Sequence, residues 1–166
     1  MVGQGVLREC LLASDVERVV TIGRSATGEN HEKLHEILHS DFMNFSSIEG
    51  SLHDLDACFF CLGMSAAGLS EAEYSKWTYD VTMAAAQTLV KLNPAMTFIY
   101  VSGAGTNSSE KGRVMWARIK GKTENALLGL PGDTAATVVS PRNKRPLAVW
   151  APIALFGVAS WRSPPM

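Results

Sequence analysis

The sequence predicts an α/β fold, a doubly wound parallel sheet with helices between its strands. Three observations carry that expectation. Short β-branched or nearly all-apolar runs recur along the chain and end in glycine or a small residue. Longer stretches of helical composition separate them. The run 55–62 is nearly all apolar rather than alternating, as a strand covered on both faces is.

Taken in order, residues 6–13 have helical composition, with Val6, Cys10 and Ala13 spaced along one face and Ser14-Asp15 as the stop. Residues 16–22 are β-branched, short and closed by Gly23, which reads as a buried strand. Residues 25–30 read as a loop, and residues 34–42 fit a strand or a helix equally by period. Residues 55–62 form a nearly all-apolar strand before Gly63. Residues 71–92 are a long helical stretch ended by Asn93-Pro94. Residues 97–101 are another buried strand, followed by the loop Ser102-Gly103-Ala104-Gly105, and residues 114–128 form a second long helix stopped by Gly129 and Pro131. Residues 134–139 suit one more strand. The segments 141–146 and 161–166 have no periodicity, and there is no internal repeat. In parallel sheets of this kind ligands bind at the carboxyl ends of the strands, so the informative residues are Gly23-Arg24, Asp41-Phe42, Leu62-Gly63 and Ser102-Gly103.

The composition narrows the function. A chain of 166 residues that is 46% apolar can bury the core of one domain. Fifteen basic and sixteen acidic residues leave a net charge of -1 with no block of one sign, so the electrostatic footprint of a nucleic-acid or anionic-membrane partner is lacking. A small-molecule partner fits better. The apolar stretch 146–161 is shorter than a bilayer span and contains Pro152. The start has no charged segment leading into an apolar one, which points to the cytoplasm. Cys10, Cys58 and Cys61 make no even framework. Although Cys58-Phe59-Phe60-Cys61 is formally C-x-x-C, its apolar setting favours buried free thiols.

Over residues 1–130 the chain resembles the short-chain dehydrogenase/reductases of the atypical or extended type, proteins described as NAD-dependent epimerase/dehydratase-like. The resemblance implies a Rossmann-like NAD(P)-binding domain over 1–130 and a divergent tail over 131–166. Members open with a strand and a G-x-x-G-x-x-G turn that presents backbone N–H groups to the pyrophosphate. Only the third glycine is matched here, by Gly3. The first two would fall before Met1, so the expectation is an N-terminally truncated Rossmann-like sheet lacking its first strand. In the order 3-2-1-4-5 that strand is central, and its loss would leave two neighbours with unpaired edges.

The same resemblance implies roles for single residues. Arg24 stands where the family sorts NAD from NADP, and a guanidinium there pairs with a 2′-phosphate, favouring NADP. Asp41 and Phe42 resemble the pair that holds adenine, and Leu62-Gly63 the loop under the ribose. Family enzymes use a serine after a strand and Y-x-x-x-K on the next helix, where the spacing of four puts the tyrosine and lysine on one face. Ser102 matches the serine and Lys120 the lysine, which would also hold the ribose. Trp116 occupies the tyrosine position, and its indole N–H is a donor that cannot act as acid or base. Tyr100, two residues before Ser102, points to the same side of a regular strand.

The resemblance therefore implies oxidoreduction or epimerisation of a small carbonyl or sugar-like substrate with NADP; family members often pair through helices like residues 71–92, which leaves a homodimer open. A non-catalytic nucleotide-binding or regulatory module is the alternative that Trp116 favours. A shortened, inactive product is another, since the turn expected near residues 140–143 matches the family poorly. A remote rival from a different class is a zinc hydrolase, because His31-Glu32-Lys33-Leu34-His35 satisfies H-E-x-x-H. On a helix, His31 and His35 would bind zinc with Glu32 as base.

Overall fold

The computed structural model describes residues 2–130 together with the strands Ala135–Val139 and Phe156–Trp161, the last two as backbone only. The architecture is mixed α/β. Helix α1 (Val2–Leu12) leads into β1 (Val16–Gly23), β2 (Leu34–Leu38) and β3 (Ala57–Phe60). Helices α2 (Glu71–Ser75) and α3 (Val81–Leu92) follow, joined by a π-helical segment, Lys76–Asp80. Then come β4 (Thr97–Val101), α4 (Met115–Leu128), β5 (Ala135–Val139) and β6 (Phe156–Trp161). The long helix expected over 71–92 is therefore one helical stretch with a wider turn inside it. Its start is set by Ser70, whose hydroxyl accepts from the Glu73 N–H while the Glu73 carboxylate accepts from the Ser70 N–H. The ambiguous segment 34–42 resolves as a five-residue strand with Phe42 beyond its end.

The sheet has six strands in the order β2-β1-β6-β3-β4-β5. Pairs β1–β2, β3–β4 and β4–β5 are parallel, whereas β6 is antiparallel to both β1 and β3. Strands β1 to β5 thus run the same way, and their carboxyl ends share one edge. Two sequence expectations are corrected here. The sheet is not wholly parallel, and β1 and β3 have no vacant edges between them. Val158 pairs with Val20 on one side and with Cys58 on the other, so β6 fills the gap with backbone hydrogen bonds to both neighbours. The direction has a simple cause. β5 exits at the carboxyl edge, and an antiparallel strand enters from that same edge without a crossover of the sheet. The absence of periodicity over 141–146 and the turn expected near 140–143 lie outside the described residues.

Successive residues of β1 show how the two faces are covered. Val19 packs with Leu7 and Leu11 of α1, while Val20 and Ile22 join the main core with Val81, Ala85 and Leu89 of α3 and with Phe98 and Tyr100 of β4. Residues 19–23 are all buried, Thr21 among them, so β1 is covered on both faces over that length. β2, at the edge, is only partly covered. Lys33, entering β2, closes the last turn of α1 by donating to Ala13 O at 2.6 Å and Leu11 O at 3.4 Å. Among the described residues no helix is long and apolar enough to cross a membrane.

Candidate functional site

β4 and α4 each contribute one row of side chains to a cluster at the carboxyl edge. Alternation along β4 and into the loop buries Phe98, Tyr100 and Ser102 together. Helical spacing puts Trp116, Lys120 and Glu124 on one stripe of α4. Where the rows meet, the Ser102 hydroxyl donates to one Glu124 carboxylate oxygen in a short hydrogen bond, and Thr106 Oγ1 donates to the other at 3.2 Å. Lys120 Nζ donates to the Tyr100 hydroxyl oxygen at 3.3 Å and lies 5.1 Å from the centre of that ring. Ser102 is 6% and Glu124 8% exposed, so both are withdrawn from bulk water.

The loop after β4 lies close against α4. A Cβ on Gly103 would lie 3.6 Å from both Lys120 Cδ and Trp116 Cζ3, and Gly105, at φ +89°, lies under the far edge of the same indole. Farther along, a Cβ on Gly121 would collide with the Asn107 carbonyl oxygen, so this helix position admits only glycine at the observed spacing. Arg118 fixes the neighbourhood by donating to Gly112 O at 2.8 Å and pairing with Glu71 at 2.7 Å, which ties α4 to α2.

The electrostatics follow from burial. Desolvation pulls the Lys120 ammonium down to about 8, with Glu124 pulling it partly back up. Burial pushes the Tyr100 phenol up, aided by Tyr74 and Glu124, so it stays protonated at neutral pH. Lys120 therefore does not make Tyr100 an acid/base near neutrality. Trp116 brings no titratable proton either.

The remaining sequence-derived residues are placed as follows. Arg24, just beyond β1, is exposed and makes no ion pair among the described residues. Gly63, beyond β3, is exposed with open space where a side chain would be, and Leu62 is half-buried against the core. Asp41 Oδ1 accepts from the Met43 N–H at 3.1 Å. Phe42 is 4% exposed and packs in the core with its edge toward His39. Gly3 is buried in α1. Only Ser102 and Lys120 converge, and they do so through Glu124 and Tyr100. The sequence signal for Glu124 was its place four residues after Lys120. A cavity of about 610 Å³ lies elsewhere, between α1 and the loop after β1, against Gln4, Arg8, Thr27 and Glu29. Neither Ser102 nor Lys120 lines it.

H-E-x-x-H is not helical here. Residues 31–34 close a turn, the Leu34 N–H donating to His31 O at 2.9 Å, and His35 lies in β2, so the helical spacing of four that would put both rings on one face is absent. The His31 ring instead accepts from the Lys33 N–H at 3.2 Å, and no cluster of three metal-ligating side chains occurs among the described residues. Cys58 is fully buried, and burial holds the Cys61 thiol up at about 11, so neither offers the thiolate that redox or zinc chemistry needs. The chain matches no known protein-family model and no curated protein.

Proposed function

We propose that the chain is an NADP-binding protein of the short-chain dehydrogenase/reductase type, with a Rossmann-like plan in which the carboxyl edge of the parallel strands holds the nucleotide. The observation that carries this reading is the convergence of Ser102 and Lys120 at the end of β4, with Lys120 held 3.3 Å from Tyr100. The residues fit such a ligand in part. Arg24 is an exposed cation beyond β1, suited to a 2′-phosphate. Gly63 leaves room beyond β3, and Lys120 can turn from the Tyr100 hydroxyl to ribose hydroxyls. Phe42 fits less well, because its ring belongs to the core.

Carbonyl reduction or epimerisation needs a proton donor beside the substrate. Trp116 has none to give, and burial raises the Tyr100 phenol well above its ordinary range, so it gives up its proton poorly. That favours a second reading, a nucleotide-binding module that works without turnover. Thermal-shift titration with NADPH and NADH tests the common part. A ligand at about a hundred times its Kd stabilises the native state by ~2.7 kcal/mol. NADPH should raise the melting temperature saturably and more than NADH, and Arg24→Ala should erase the difference. A flat response to both nucleotides with a cooperative transition would sink the reading. Steady-state consumption of NADPH with small ketones then separates catalyst from module.

A further inference from the structure

A serine hydroxyl owns one proton and two lone pairs. In this chain the proton is already committed: Ser102 donates it to Glu124, a carboxylate withdrawn from water whose other oxygen is taken by Thr106. What Ser102 can still offer is an acceptor. We propose that Glu124 is a positioning residue that sets the polarity of Ser102, so that the group recognised at the end of β4 is a hydrogen-bond donor, a hydroxyl or amide N–H, and not a carbonyl oxygen. The inference deepens the reading of this edge as a small-molecule site and rests on it.

Three further features agree. Glu124 lies on the same helical stripe as Lys120, so the helix that brings the lysine to β4 also brings the proton acceptor. The Thr106 bond restrains the carboxylate, so it does not swing away and release the serine proton. Gly103, next to Ser102, carries no side chain and is flanked by Lys120 and Trp116. A carbonyl arriving there would face the serine lone pairs, lone pair against lone pair. An alcohol would donate to them.

The test uses a matched pair of probes, cyclohexanol and cyclohexanone, titrated into the whole chain while the Ser102 amide and Trp116 indole resonances are followed by NMR. One hydrogen bond gained or lost corresponds to about a fivefold difference in affinity. Cyclohexanol should shift both resonances at about fivefold lower concentration than the ketone. Glu124→Gln offers a carboxamide that can donate to Ser102 and free its proton, and it should reverse the preference, whereas Ser102→Ala should abolish it. A wild-type preference for the ketone, equal binding, or no response at Ser102 to either probe would overturn the proposal, and none of these outcomes depends on a variant folding. The nucleotide reading fails separately. Alcohol preference without any NADPH-induced stabilisation would leave the serine polarity intact and remove NADP.

Discussion

Lys120 is charged in a place where charge is unfavourable, half-buried against the Tyr100 ring and hydroxyl. Its folded value of about 8 lies below its ordinary 10.5, so between those limits the unfolded chain binds more protons than the folded one. Stability from this residue therefore rises as pH climbs from about 8 toward 10.5, and is lost as pH falls through 8. Tyr100, Cys58 and Cys61 are raised and work in the opposite sense as pH rises past their ordinary values. The comparison that isolates Lys120 is thus wild type against Lys120→Met. The variant should be more stable at pH 7 relative to wild type, and the gap should narrow in urea titrations as pH rises from about 8 toward 10.5. A gap independent of pH would refute this account. Ser102 and Lys120 were legible as residue types at a family spacing. Tyr100 was marked too, by its alternation with Ser102, but Glu124 was not, because it acquires meaning only when β4 and α4 lie side by side.

At the scale of elements, α4 and the loop before it behave as one unit. The Asn107 N–H donates to Ala117 O at 2.9 Å, the Asn125 side chain donates to Ser108 O at 2.9 Å, and Glu110 turns the chain at φ +60°. Gly121 permits this contact by presenting no side chain to Asn107 O. Gly121→Ala improves helix propensity by roughly 1 kcal/mol but forces the loop away, and overpacking of this kind costs about 1–3 kcal/mol. The net expectation is destabilisation with a loosened loop, read as a lower urea midpoint and faster amide exchange at Asn107. A stabilised variant would mean that the loop does not rest on the helix. Helix and strand identities along this stretch were readable from period and stop signals, since those are local properties. Why position 121 is glycine was not readable, because the atom it avoids belongs to another element.

At the scale of the whole molecule, β6 joins two parallel pieces into one sheet, β2-β1 on one side and β3-β4-β5 on the other. A proline within β6 tests this placement. With neighbours on both sides, an interior N–H of β6 has a ladder partner, and Val158→Pro removes one donor and crowds the strand. The expected loss is roughly 1–3 kcal/mol, as for a backbone group left unpaired on burial. Amide exchange should rise in β1 and β3 together, whereas exchange confined to residues beyond 150 would place β6 outside the sheet.

The sequence by itself determined the α/β class, the strands near 16–22, 55–62 and 97–101, and the helices that separate them, because apolar period and chain punctuation act over a few residues. It also marked Ser102 and Lys120. Tertiary structure alone decided that part of the late apolar stretch 146–161 runs antiparallel through the middle of the sheet. It decided that H-E-x-x-H is a turn leading into a strand and not a helix, and that the Ser102 proton belongs to Glu124. Each of those outcomes is a pairing between residues distant along the chain, and the free energy of such a pairing resides in the geometry that brings the partners together.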